Sequence, residues 1–464
     1  MVPGSGRGPE SSLPCRYGMR RLLSVAAWKG RYMSSGERRA NAADPNIRPY
    51  FFLSYARTPR RDPGDRESPD RWVHKLYKDL CDAILQMTDV QPAEAGFMDT
   101  ENKLGAEWSP ELMTSIKNCR VFVPLYSRRY FESENCGREW FAFARREVNH
   151  RARGGERVEA IVPALWTRVD RDAIPAIAQT LQYAHPGMGQ RYCADGFYGI
   201  MKLRNYRDEY QKAVHRLAER IIELGDNSVA HADHAVQPWD SKDFESLQSA
   251  FGPTSARRTT DGKLRISVLA HDTSSLPPGR ARKYYGDTPH SWSPYKDDYP
   301  QPVAEYALAL AKCLDCDPVV DVFRADGLSS DRPVPPGICL VDAWVTMSDA
   351  YHERLRQLNE LTVPWLSVVI PWNGDDKGLR LQGDVLREKL EMHLGRKLSS
   401  VPRRCRMAAD GIPTMQELGL VLPEMAMMML KRYHRDAPVP TDAGPFLPRP
   451  RLRQADPSES GGSG

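Results

Sequence analysis

The sequence predicts an α/β protein of two three-layer domains, each a mostly parallel sheet between helices. Two observations predict this class. Short apolar runs of strand type alternate with longer segments whose apolar residues recur at helical spacing, the pattern of strands and helices around a parallel sheet. The alternation also runs twice, on either side of a polar interval, and 464 residues suit two domains at roughly 100–200 residues each.

The first copy begins at Tyr50-Phe51-Phe52-Leu53, a short continuous apolar run. A polar loop with three prolines follows from Arg57 to Pro69, and Trp72, Val73, Leu76, Leu80, Ile84 and Leu85 then recur at helical spacing. Arg120 to Leu125 is a second strand, Trp140 to Val148 a helix, and Val158 to Trp166 another apolar run. An amphipathic helix from Tyr206 to Leu224 closes the region, with Gly225 as its stop signal. The segment Gly187–Gly199, with four glycines, reads as a lid or a structural excursion.

The interval 227–263 carries Gln-Pro, Gly-Pro and Arg-Arg-Thr-Thr and reads as a linker with at most one short helix. Beyond it, Leu264 to Ala270, Val319 to Phe323, Gly337 to Trp344 and Trp365 to Ile370 are strands. Helices are predicted over Val303 to Leu314, Tyr351 to Leu361, Asp384 to Leu394 and Leu422 to Tyr433. The expected division is therefore a domain over 46–226, the linker, and a second domain over 264–436. The two halves also share apolar echoes: Gly96 to Asp99 with Val322 to Asp326, and Ile161 to Trp166 with Val368 to Trp372. Any two parallel sheets can share such runs, so duplication of one plan stays open. The aromatic segment Tyr284 to Tyr295 serves either as a partner-binding loop or as packing within its own domain.

Composition narrows the functional classes. Apolar residues make up 41% and charged residues 27%, which excludes a disordered or collagen-like chain. No run approaches the roughly 18 apolar residues of a membrane span. Lysine plus arginine number 65 against 60 acidic residues, and a net charge of +5 over this length does not call for a nucleic-acid partner. Nine scattered cysteines do not make a secreted disulfide scaffold, so a reducing cytoplasmic location is expected. Cys313-Leu314-Asp315-Cys316 has no second pair beside it, and no metal site or cofactor is expected. Neither G-x-x-x-x-G-K-[ST] nor G-x-G-x-x-G occurs, which disfavours a nucleotide-binding hydrolase or transferase. Residues 1–45 and 437–464 are rich in Gly, Ser, Pro and charge and are expected to be disordered, and translation starts at Met1 or at Met33.

Four boxes in series carry a functional signal. Tyr50-Phe51-Phe52-Leu53-Ser54-Tyr55-Ala56 is an apolar strand opening into a loop. Phe97-x-Asp99, Leu104-Gly105 and Leu112-x-x-x-Ile116 follow. The last box is Ser127-x-x-Tyr130-x-x-Ser133-x-Asn135-Cys136-x-x-Glu139-Trp140. In this order the boxes resemble the TIR (Toll/interleukin-1 receptor) domain over most of residues 49–225. Asn135 stands where the family usually has Trp, and Trp140 where it has Leu. The whole of 47–436 resembles more narrowly the actinobacterial TIR-like FxsC family, associated with gene clusters for ribosomally made peptides.

The resemblance implies a flavodoxin-like arrangement for both domains and two alternative functions. In the first, Glu139 is the catalytic glutamate of an NAD+ glycohydrolase that cleaves the bond between nicotinamide and ribose. The reaction passes through an oxocarbenium-like state that a carboxylate stabilises. Ser54, Arg57, Asp99 and Trp108 are then candidates to line the substrate cleft, with NAD+ as substrate. The chain would self-associate through its TIR domain, the Asp99 to Glu111 loop helping assembly. In the second, the chain is a catalytically inactive adaptor in peptide maturation, with a protein or peptide partner on the second domain. Each residue also has a plainer account. Glu139 can serve the helix dipole, Arg57 can be one solvated cation in a basic loop, and Asp99 can brace a loop. Cys136 has no basic partner in the motif and reads as a core cysteine.

Overall fold

The computed structural model describes residues 47–60, 62, 68–99, 110–183, 186–228, 247–251, 263–324 and 334–437. The terminal segments expected to be disordered lie outside the described residues, as do Trp108, Leu104-Gly105 and most of the Asp99 to Glu111 loop.

The first sheet is built from β1 (Phe51–Ser54), β2 (Gly96–Met98), β3 (Val121–Tyr126) and β4 (Ala164–Leu165), all parallel, in the order β2-β1-β3-β4. Phe51 pairs with Gly96 on one side and Val121 on the other, so β1 is central and fully buried, as its unbroken apolar run requires. Its helices of five residues or more among the described residues are α1 (Arg71–Met87), α2 (Pro110–Asn118), α3 (Arg128–Glu132), α4 (Glu134–Ala152), α5 (Gln190–Lys202) and α6 (Arg207–Ser228). In α1, the apolar positions Val73, Leu76, Leu80 and Ile84 are the buried face, which is why the helical spacing was readable.

The second sheet repeats the plan with β5 (Lys263–Leu269), β6 (Asp317–Val322), β7 (Gly337–Val341) and β8 (Leu366–Val369), all parallel, in the order β6-β5-β7-β8. Its helices are α7 (Val303–Lys312), α8 (Asp349–Glu360), α9 (Lys377–Ser400) and α10 (Met415–Asp436). The two sheets have one topology, and the sequence echoes fall on or beside corresponding strands, β2 with β6 and β4 with β8.

Four expectations need correction. The apolar run 158–166 yields only a two-residue strand, with Ile161 adding an isolated bridge to Phe122. Helix α6 does not stop at Gly225 but runs through it to Ser228. Gly225 is a packing residue there, since a Cβ would stand 2.8 Å from the Tyr50 ring. The segment Gly187–Gly199 is neither lid nor excursion but a short turn and helix α5, kinked at Gly196. Gly196 has φ +68°, and a Cβ would lie 2.6 Å from the Trp166 carbonyl oxygen, so both conformation and contact select glycine. Finally, α9 and α10 extend well beyond the predicted 384–394 and 422–433. Helix α9 is apolar on two faces, which blurs its period, and Pro423 sits inside α10.

The two halves meet along α4. The Tyr306 hydroxyl on α7 donates to Asn149 Oδ1 at 2.8 Å, with both groups buried. Arg153 donates to the Tyr299 hydroxyl at 2.8 Å and stacks over its ring. From the interval read as a linker, residues 247–251 lie against the start of the same helix. Ala250 N–H donates to the Gly137 carbonyl at 2.9 Å, and the Phe251 ring packs on Tyr130, Phe131 and Trp140.

Candidate functional site

In the order β2-β1-β3-β4 the chain steps outward from β1 to β2 and then crosses back to β3, so the winding reverses between β1 and β3. The carboxyl ends of these two strands therefore flank the crevice where open α/β sheets bind ligands. Ser54 is the last residue of β1. Ser127 follows β3, and its side chain accepts from Tyr130 N–H at 3.1 Å, starting α3. Ser133 likewise caps α4, accepting from Cys136 N–H at 3.3 Å. These two caps fix the chain after β3 so that Glu139, in the second turn of α4, reaches back to β1.

The resulting cluster is compact. Ser54 Oγ donates to Glu139 Oε2 at 2.5 Å, and the Tyr130 hydroxyl lies 3.0 Å from Ser54 Oγ. The single Ser54 proton is directed at Glu139, so Tyr130 is the donor in the second bond, and the three form a chain from Tyr130 through Ser54 to the carboxyl. Arg57, in the loop after β1, holds the end of β2, donating to the Asp99 carbonyl oxygen at 3.2 Å and to its carboxylate at 3.3 Å. Of the five residues singled out from the sequence, Ser54, Arg57, Asp99 and Glu139 thus belong to one neighbourhood. Trp108 falls outside the described residues.

Burial dominates the electrostatics. Desolvation pushes the Glu139 carboxyl up to about 8. The Ser54 hydrogen bond and Arg57 oppose the rise, and Asp99 adds to it. The Tyr55 phenol beside the cluster is also raised, mainly by burial. Glu139 therefore stays largely protonated at neutral pH. This placement replaces the helix-dipole account, because Glu139 sits beyond the first turn of α4 with its side chain turned inward. Arg57, for its part, is tied to Asp99 and is not a free solvated cation. Burial also raises the Cys136 thiol well above its ordinary value, as befits a core cysteine.

Tyr130 also belongs to this cluster; within the last box its spacing from Ser127 is the sequence signal for it.

The corresponding crevice of the second sheet, at the carboxyl ends of β5 and β7, is filled. Asp342 accepts from the Tyr285 hydroxyl at 2.7 Å, Arg280 Nε donates to the same hydroxyl at 2.8 Å, and Arg280 pairs with Asp376 at 2.5 Å. His271 is buried beside them. Tyr284, Tyr285, Trp292 and Tyr295 of the aromatic segment are buried too, so that segment packs within its own half. An open cleft of about 640 Å³ lies at the amino end of β1, lined by Tyr50, Arg120 and Asp226 among others, and these polar groups satisfy one another.

A parallel α/β domain with a buried carboxyl at its switch point is the class these observations define. Residues 51–189 match the family model described as a TIR domain, so the N-terminal part of the chain carries a TIR domain. No curated protein gives a significant match to the chain. No helix among the described residues is long and apolar enough to cross a membrane. Among the described residues, Cys81, Cys119, Cys136, Cys313, Cys316, Cys339 and Cys405 form no disulfide.

Proposed function

We propose that the protein is a signalling TIR protein that hydrolyses the nicotinamide–ribose bond of NAD+ with Glu139 as its catalytic carboxyl. The observation that supports this most is the Ser54–Glu139 hydrogen bond, which aims a buried carboxyl at the switch-point crevice. Nicotinamide in NAD+ is cationic. Its arrival beside a protonated Glu139 drives ionisation of the carboxyl, the proton passing to water and returning when the products leave, because an opposite charge close by favours the charged form. As the bond from ribose to nicotinamide breaks, its electron pair leaves with neutral nicotinamide and positive charge gathers on the ribose. The Glu139 carboxylate stabilises that charge, held in place by Ser54. Water then adds to the ribose carbon and releases one proton, giving ADP-ribose. Arg57 is suited to the pyrophosphate, exchanging its hold on Asp99 for the substrate. An intracellular location, where NAD+ is abundant and thiols stay reduced, fits this reading.

The test is NAD+ consumption by the full chain at high protein concentration beside Glu139→Ala, with products separated by chromatography. Turnover abolished by the substitution is expected, and no turnover in dilute or assembled samples overturns the reading. One observation favours the alternative of a catalytically silent adaptor. The Glu139 side chain is buried and already hydrogen-bonded within the domain, as a purely structural glutamate would be.

A further inference from the structure

The crevice at the carboxyl ends of β5 and β7 is the place where open α/β sheets take ligands, and in this half a side chain occupies it. Arg280 enters from the loop after β5, its side chain 1% exposed. Three rings surround its guanidinium, with centroids 4.7 Å (Tyr284), 5.0 Å (Trp344) and 5.2 Å (Tyr285) from the guanidinium carbon. Acceptors complete the box. Asp376 takes a terminal N–H at 2.5 Å, and the Tyr285 hydroxyl takes the Nε–H at 2.8 Å while donating its own proton to Asp342 at 2.7 Å. Both carboxylates are also held by backbone. Asp376 accepts from Gly378 N–H at the start of α9 at 2.8 Å, and Asp342 accepts from Trp344 N–H at 3.1 Å. The box is therefore preorganised by groups other than its occupant.

Arg280 is presented to this box on a tight turn. Its N–H donates to the Pro277 carbonyl at 3.2 Å, and Gly279 has φ +81°, as the third position of a Pro-Pro-Gly-Arg turn of type II requires. Pro278 and Gly279 are exposed, and a Cβ on Gly279 would meet nothing within 4 Å, so the tip stands in open space. A buried ion pair is weak evidence of a stabilising device, because packed apolar residues commonly do as well. The donor pattern defines what the box recognises. A quaternary ammonium would satisfy the rings and leave Asp376 and the Tyr285 hydroxyl without donors, and a lysine ammonium has no planar face to lay against them. Burial raises the Asp342 carboxyl and the nearby guanidinium opposes the rise, so a cation is favoured over a neutral occupant.

We propose that this box is a binding site for a guanidinium group supplied from outside the chain, an arginine side chain above all, with Arg280 as the internal occupant that the ligand displaces. The site is separate from Glu139 and stands whether or not the first half turns over NAD+. Competition from within sets its affinity. If the turn is withdrawn in about 1% of molecules, the apparent affinity for an external guanidinium falls about 100-fold.

Calorimetric titration of the full chain with the peptide amide Gly-Arg-Gly tests this. Arg280→Ala empties the box and should bind the peptide about 100-fold more tightly than the unaltered chain. Gly-Lys-Gly should bind that variant at least about tenfold more weakly than Gly-Arg-Gly. Gly279→Ala keeps the box and Arg280 but strains the turn at its positive φ, so it should tighten binding about fivefold to thirtyfold. Adding Asp376→Asn, which still caps α9, should remove that gain. Free L-arginine beside the peptide distinguishes a small-molecule source from a partner chain, and tighter binding of either one supports a guanidinium site. The proposal is overturned if neither Arg280→Ala nor Gly279→Ala binds the peptide more tightly than the unaltered chain, or if the lysine and arginine peptides bind alike. Should Arg280→Ala fail to fold, Gly279→Ala with and without Asp376→Asn decides.

Discussion

Replacing Glu139 by glutamine should stabilise the protein at neutral pH, by an amount that depends on pH in a defined way. In the unfolded chain the carboxyl titrates near 4.5, and in the folded protein burial raises it to about 8. Below about 4.5 both states hold the proton. Between about 4.5 and 8 the folded state binds one proton more than the unfolded state, so stability falls as pH rises across that window and levels off above it. At pH 7 the difference amounts to about 3 kcal/mol, taking 1.36 kcal/mol for each of about 2.5 pH units. Glutamine keeps the size and accepts the Ser54 hydrogen bond through its amide oxygen, but it carries no proton linkage. The variant's advantage should therefore be under about 1 kcal/mol at pH 5 and about 3 kcal/mol at pH 7, constant beyond pH 8. Urea denaturation from pH 5 to 8.5, followed by the fluorescence of Trp140 and its neighbours, measures it. Parallel pH profiles for the two proteins would refute the assignment of a proton to Glu139 at neutral pH.

Other perturbations follow from the same geometry. Ser54→Ala removes the donor that opposes burial, so the Glu139 carboxyl should rise further, and the pH profile of any NAD+ turnover should move to higher pH. In the unaltered protein turnover at limiting NAD+ should climb with pH towards about 8 and then flatten, as the carboxylate form of the free protein fills. Phe251→Ala should cost about 3–5 kcal/mol in urea denaturation, because it empties a buried aromatic site against Tyr130, Phe131 and Trp140. Tyr306→Phe leaves the buried Asn149 Oδ1 without its donor and should cost about 1–3 kcal/mol in the same assay.

How far the sequence could be read varies with what each residue does. Strands β1 and β3 are visible because a central parallel strand is buried on both faces and must be apolar throughout. Helix α1 shows itself through one buried stripe. Helix α9 hides its ends, because Leu381, Val385 and Met392 add a second apolar line and blur the period. The sequence marked Gly225 as a helix stop and the glycine-bearing segment 187–199, which includes Gly196, as a lid or excursion, since a glycine in isolation signals freedom. In the structure both answer to a neighbour, Tyr50 in one case and the Trp166 carbonyl in the other, and such neighbours are distant in sequence. At the site, residue types and order were legible from the motif boxes. The chain of hydrogen bonds from Tyr130 through Ser54 to Glu139 was not, because it spans 85 residues between β1 and α4.

Helix α4 ties these observations into a view of what the second half does for the first. Near its start it carries Glu139. Near its end it carries Asn149, which is held by Tyr306 on α7. Gly137, two residues before Glu139, admits the segment 247–251 so closely that a Cβ there would collide with the Ser249 side chain. A helix is stiff along its axis, so a shift of the second half that moves α4 as a body should be felt at the Ser54–Glu139 hydrogen bond. Gly137→Ala separates this from simple loss of stability. It displaces residues 247–251 without touching the carboxyl, at a cost of about 1–3 kcal/mol from overpacking. If α4 transmits the displacement, the pH at which Glu139 titrates, followed by carboxyl infrared absorption, changes along with stability. An unchanged titration in a destabilised protein would show that the linker only covers the helix and does not set the position of its glutamate.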